Sequence, residues 1–145
     1  MKQPFEQFFS SSAYAVVGAS ENREKYGNIV YRYLRDKKFT VYPVNPNHET
    51  VEGDKCYAKV SDLPADVKSV VFVVPPVRTE RIVRECKAKG ITAVWMQPGA
   101  ESMAAVEYAE KNNITAIYDA CVMVVLSPLP NFSKLSSWLK KILSL

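Results

Sequence analysis

Histidine, cysteine and glycine are all scarce in this sequence, and each shortage removes a class of function. One histidine, His48, and three dispersed cysteines, Cys56, Cys86 and Cys121, stand among 145 residues. With no Cys-x-x-Cys pair, neither a disulfide framework nor a thiolate zinc site is indicated, and a reducing, cytoplasmic compartment fits. His48 lies beside Asn47 and Glu49 with no nucleophile motif near it, so no catalytic constellation is read. The five glycines are too scattered for a dinucleotide fingerprint, because Gly-x-Gly-x-x-Gly would need glycine where Ser20 and Arg23 stand. No apolar run approaches the roughly 20 residues of a membrane span; the longest, Ala120 to Leu126, is about a third of that. Pro4 and Glu6 interrupt the first nine residues, so no export signal is read there.

What remains is an ordinary globular composition, with 48% apolar and 23% charged residues. A chain of this length buries roughly 68–70% of its unfolded surface, enough for one domain over residues 1–145. Nineteen Lys and Arg against fifteen Asp and Glu leave a net charge of +4. That suits a small polyanionic ligand but falls short of a nucleic-acid footprint, and no membrane partner is expected.

Strand and helix signals alternate. Ala13 to Val17 is a wholly apolar run that stops on Gly18, which reads as a central buried strand. Ile29, Val30, Tyr33 and Leu34 recur at helical spacing among Arg32, Arg35, Lys37 and Lys38. Phe39 to Val44 is a second strand with Pro43 near its end, followed by the Asn45-Pro46 turn. A minor edge strand is expected around residues 55–57 and a helical turn near 61–63. Ser69 to Val74 is β-branched and aromatic before Pro75-Pro76. Val77, Ile82, Val83 and Cys86 then support a helix to about Lys89, ended by Gly90 in the left-handed conformation. A strand over 91–96, a helix over about 101–112 with Ala105, Val106 and Ala109 inward, and a strand over 114–118 complete a core of about 13–125. A C-terminal helix is expected over about 131–143. The pattern predicts an α/β protein, a single Rossmann-like doubly wound and mainly parallel sheet with flanking helices, in strand order 3-2-1-4-5-6.

Ligands of such sheets bind beyond the carboxyl ends of the strands where the winding reverses. Four segments lie there: Gly18-Ala19-Ser20, Asn45-Pro46, Val74-Pro75-Pro76 and Gln97-Pro98-Gly99. Gly18 permits a tight exit and close backbone approach, Ser20 offers a hydroxyl, and a helix starting near Gly27 aims free N–H groups at an anion. Arg23, Lys25 and His48 are candidates for additional phosphate charge. The second strand ends in Asn45-Pro46 rather than in an acidic residue for adenosine ribose hydroxyls, which disfavours NAD. Gln97 can both donate and accept hydrogen bonds at the ligand edge. Cys121 follows a strand end and is an outside candidate for a mixed disulfide with a ligand thiol.

Seven ordered segments carry a resemblance: Val16-Val17-Gly18-Ala19-Ser20, Lys25-Tyr26-Gly27-Asn28, Val41 to Pro46, Val51-Glu52-Gly53, Val71 to Pro76, Trp95 to Gly99, and Asp119-Ala120-Cys121. Over about 13–125 the chain resembles a stand-alone member of the CoA-binding domain family, similar to the N-terminal domain of the succinyl-CoA synthetase alpha subunit. The resemblance implies coenzyme A or an acyl-CoA as ligand. It implies that Gly18, Ala19 and Ser20, with Lys25, Tyr26 and Gly27, meet the phosphates, that Asn45 and Pro46 flank the nucleotide, that Val74 and Pro75 pack on adenosine, and that Gln97 faces the pantetheine. Relatives commonly place a lysine just after the Asn-Pro turn; this chain has Asn47-His48, so His48 or Lys25 would have to meet the 3′-phosphate. Three functions remain open: non-catalytic binding of coenzyme A or acyl-CoA, the nucleotide-binding subunit of an acyl-CoA ligase or transferase acting with a partner chain, and an interaction module with a decayed site.

Overall fold

The computed structural model describes residues 4–126; the helix expected over about 131–143 lies outside them. In chain order the elements are α1 (Pro4–Phe8), β1 (Ala13–Val17), α2 (Tyr26–Asp36), β2 (Val41–Val44), β3 (Thr50–Val51), β4 (Asp54–Lys55), a 3-10 turn (Val60–Asp62), β5 (Val67–Phe72), α3 (Pro76–Lys89), β6 (Ala93–Met96), α4 (Met103–Lys111), β7 (Thr115–Ile117) and α5 (Val122–Leu126).

Five strands pair in parallel in the order β2-β1-β5-β6-β7. This is the Rossmann-like α/β sheet expected from the alternation. β1 sits between two neighbours with helices on both faces, which is why all five of its residues are buried. The expected edge strand contracts to a single parallel bridge between Val44 and Tyr57. Pro43 explains the contraction: its carbonyl accepts from the Tyr57 N–H at 2.9 Å, but on the same outward side it has no N–H to give a further strand. Beyond the bridge, β3 and β4 form a separate two-residue antiparallel hairpin. Its turn residues Glu52 and Gly53 both have positive φ, 51° and 81°, as the right-handed twist of a tight hairpin requires.

One face of the sheet packs on α3 and α4, the other on α1, α2 and α5. Gly90 ends α3 with φ 89° as expected, and Ala105, Val106 and Ala109 turn inward from α4, whose first turn is capped by Ser102. Two inward assignments are corrected. Ile29 is 38% exposed and Val77 is 71% exposed. The rotation of α2 is set by Gly27, which lies against the loop after β1, so that Val30, Tyr31 and Leu34 face the sheet instead. Val77 follows Pro76 in the first turn of α3, on the side away from the buried Thr79, Ile82, Val83 and Cys86. The helix α1 carries no amphipathic repeat long enough to read from sequence; it is held by packing of Phe8 and Phe9.

Candidate functional site

At the carboxyl end of β1 the chain turns through Gly18 with φ 97°. A Cβ there would collide with the Val73 backbone carbonyl, and a Cβ on Gly27 would collide with the carbonyl of Gly18. The loop and the first turn of α2 therefore meet backbone against backbone, leaving no room for side chains between them. Two amides hold this loop, Asn28 buried and Asn45 half-buried. Asn28 donates to the Ser20 carbonyl at 2.7 Å, and Asn45 donates to the Ala19 carbonyl at 2.8 Å. The Ser20 hydroxyl accepts from the Asn22 N–H at 3.1 Å. Asn28 stands in one of the segments that carry the family resemblance but is not among the contacts it implies; its role as a strut depends on partners distant in sequence.

The expected cations part company. Arg23 is paired with Glu52 at 3.2 Å. A hydrogen bond from Asn28, with the guanidiniums of Arg23, Arg32 and Arg35 nearby, holds the Glu52 carboxyl below its ordinary value against the opposing effect of burial. Lys25 stands at the N-cap of α2 with its side chain exposed. His48 lies in a depression with Pro46, Asn47, Glu49, Lys55, Cys56 and Ala58.

Two hollows flank the Gly18 turn. The first, about 200 Å³, is lined by Gly18, Asn45 and Pro46 and by Lys59, Arg78 and Arg81. The second, about 360 Å³, is lined by Tyr26, Val74, Pro75, Pro98 and Gly99. The contacts expected for adenosine are thus divided, with Asn45 and Pro46 in one hollow and Val74 and Pro75 in the other. The three cations of the first hollow were not singled out from sequence, because nothing local distinguishes them from solvated surface charges.

Gln97, fully buried, spends its amide inside the protein. Its Oε1 accepts from the Val122 N–H at 2.8 Å, while Nε2 donates to the Tyr26 hydroxyl at 2.6 Å and approaches the Cys121 Sγ at 3.4 Å. The Tyr26 hydroxyl and Cys121 Sγ are 3.3 Å apart. Burial pushes the Tyr26 phenol up to about 12, with a further push from Cys121. Burial also raises the Cys121 thiol, but hydrogen bonds from Tyr26, the Val124 and Met123 backbone and Gln97 outweigh it, and the thiol lies below its ordinary value.

Among the described residues no group of three or more His, Cys, Asp and Glu side chains could hold a metal ion, and no helix is long and apolar enough to cross a membrane. The parallel sheet, its reversal of winding at β1 and β5, and the two hollows at that edge define a Rossmann-like α/β domain built around a ligand edge. Residues 12–127 match the family model described as CoA binding domain, and the chain belongs to that family. It is 31% identical over 119 residues to an ADP-forming acetate–CoA ligase of Methanocaldococcus jannaschii, covering 77% of this chain and 17% of the ligase. It is 33% identical over 131 residues to the alpha subunit of the ADP-forming acetate–CoA ligase II of Pyrococcus furiosus, covering 83% of this chain and 29% of that subunit. A solved structure of a conserved hypothetical protein from Pyrococcus furiosus superposes with a TM-score of 0.75 at 45% identity, over 77% of this chain and 97% of the other. The chain thus spans less than a third of the ligase relatives, but nearly the whole of the small structural neighbour.

Proposed function

We propose that this domain binds coenzyme A or an acyl-CoA across the Gly18 turn, without itself carrying a catalytic group. The observation that carries the reading is the pair of hollows beside the Gly18 turn, one lined by Gly18 itself and the other by Val73 and Val74, which lie against it, where the backbone contact with Gly27 brings the N-terminus of α2 against the loop. A pyrophosphate at Gly18, Ala19 and Ser20 would lie near the N–H groups that begin α2, with Lys25 as the adjacent exposed cation. The nucleotide would enter the hollow of Asn45 and Pro46, whose floor includes Val17, Val44 and Ile82. The pantetheine arm would run past Tyr26, Val74 and Pro75 in the other hollow. Gln97 then acts through Tyr26 and Cys121 rather than by direct contact.

Thermal unfolding of the full chain with coenzyme A, dephospho-CoA, NAD and NADP at matched concentrations tests this. A ligand at a hundred times its Kd adds about 2.7 kcal/mol, and coenzyme A is expected to give the largest shift. Gly18→Asp, which places a carboxylate at the phosphate site, should abolish it; Tyr26→Ala at the exposed wall of the second hollow is the milder variant and should weaken it. Stabilisation by NAD or NADP with silence from coenzyme A would overturn the reading.

A second reading is favoured by the ligase relatives, in which the matched region is one part of a longer chain. In that case the domain supplies the coenzyme A site to an acyl-CoA ligase or transferase completed by a partner chain, and activity would appear only when that partner is added.

A further inference from the structure

Resting on the coenzyme A reading, we propose that Lys59, Arg78 and Arg81 recognise the phosphate monoester on the ligand's ribose, the 3′-phosphate that separates coenzyme A from dephospho-CoA. All three line the hollow that also contains Gly18, Asn45 and Pro46. Arg78 and Arg81 are three residues apart on α3, a spacing that places side chains on one helix face. Lys59 comes from the loop just before the 3-10 turn. The floor beneath them is apolar, with Val17, Val44 and Ile82, a surface suited to a base or ribose, and the cations stand at the rim.

Three arginines on and before α2 are engaged within the protein, which sharpens the assignment. Arg23 is paired with Glu52, Arg35 with Asp54 and Glu52, and Arg32 is bonded to Asn28 and to the Arg23 carbonyl. The side chains of Lys59, Arg78 and Arg81, by contrast, make no hydrogen bond or ion pair among the described residues. One carboxylate, Glu85, shares their hollow and is outnumbered three to one. Asn47, which follows the Asn-Pro turn, is neutral, and its N–H is held by Asn45 Oδ1 at 2.9 Å. His48 does not line this hollow; it stands in the adjoining depression, which shares Pro46 and Ala58 with it, beside Glu49. The charge missing after Pro46 is therefore supplied from across the hollow, by α3 and the 59–60 loop. Exposed single ion pairs contribute little, but two guanidinium forks and an ammonium converging on one dianion make several charge-assisted hydrogen bonds at once.

Binding of coenzyme A, dephospho-CoA and adenosine 3′,5′-bisphosphate to the full chain is measured by calorimetry. The wild type and the triple variant Lys59→Ala, Arg78→Ala, Arg81→Ala are compared, with Lys87→Ala on the same helix as a charge control. The wild type should prefer coenzyme A over dephospho-CoA by about tenfold or more, the equivalent of one or two charge-assisted contacts. The triple variant should lose that preference while its dephospho-CoA affinity stays within about twofold, and Lys87→Ala should keep it. Adenosine 3′,5′-bisphosphate should compete with coenzyme A in the wild type and not in the triple variant. Arg81→Glu, a single exposed change, gives the same readout if the triple variant proves unstable. Equal binding of coenzyme A and dephospho-CoA by the wild type overturns the assignment and leaves the coenzyme A reading standing. A preference that survives the triple variant but falls with His48→Ala or Lys25→Ala overturns it in favour of those residues. No binding of either coenzyme overturns both.

Discussion

Toward α3 and α4 the sheet presents Ala13, Ala15, Val17, Val70, Phe72, Val94 and Met96, whereas toward α1, α2 and α5 it presents Tyr14, Val16, Val71 and Trp95. The alternation of a strand separates the two sets by single residues, yet they are organised differently. The fully buried side chains of the first face are aliphatic apart from Phe72, with Tyr42, Tyr57, Tyr108 and Tyr118 partly buried against them, and this face closes against two regular amphipathic helices. The second is knit by rings around one residue: Trp95 stacks on Phe5 at 5.4 Å, meets Phe8 edge-on at 5.1 Å and Phe9 at 5.7 Å. The Trp95 indole N–H also donates to the Ala120 carbonyl at 2.8 Å. A single side chain thereby joins the N-terminal helix to the segment that carries Cys121. Aliphatic packing spreads its contribution over many interchangeable contacts, while an aromatic hub concentrates it and couples distant segments.

The largest test of that difference is Trp95→Ala, expected to cost about 3–5 kcal/mol in urea unfolding. Ile114→Val, on the aliphatic face, should cost only about 0.5–1.5 kcal/mol. Trp95→Ala should also disturb Cys121 by freeing the Ala120 carbonyl; an undisturbed Cys121 would argue against the coupling.

The cysteines sharpen the comparison next. Cys86 is wholly buried on the aliphatic face, where burial pushes its thiol far up. Cys121, at the rim of the aromatic face, lies below its ordinary value. A lower folded value means more thiolate at a given pH, so alkylation of Cys121 should rise at lower pH than that of a free thiol. At pH 7 it should exceed Cys86 by at least about tenfold, read by mass spectrometry of the native protein. Removing one hydrogen bond with Tyr26→Phe should move the profile to higher pH; an unmoved profile would exclude that bond as a cause.

The smallest effect concerns Thr79, whose hydroxyl is buried on α3 without a hydrogen-bond partner among the described residues. An unmade buried hydrogen bond is costly, so Thr79→Val should raise stability by about 1 kcal/mol. A lower melting temperature would reveal a partner for the hydroxyl and remove this defect from the α3 side.

Much of this architecture was readable one segment at a time. β1, β5 and β6 were legible because strands buried on both faces are continuous apolar runs, and α4 because its inward residues repeat at helical spacing. The carboxyl edge of the sheet was legible because Gly18 and Asn45-Pro46 stand at strand ends. The errors also have local causes. Ile29 and Val77 fit an apolar helical pattern, but the docking of Gly27 on Gly18 and the start of α3 at Pro76 decided which way each helix turned. The hub around Trp95 was missed because α1 is five residues long, too short for a periodic signal.

The alternation of strands and helices, the place of the strand-order reversal and the family segments along the carboxyl edge of the sheet can be read from the chain alone. All of these depend on residue periods and turn chemistry within a few neighbours. It took folding in space to bring Tyr26 to a glutamine 71 residues away, Glu52 to Arg23, and Lys59 into one hollow with Arg78 and Arg81. A hydrogen bond or a charge cluster depends on distance in space, and segments remote along the chain are brought within that distance only once the sheet has paired and its helices have packed.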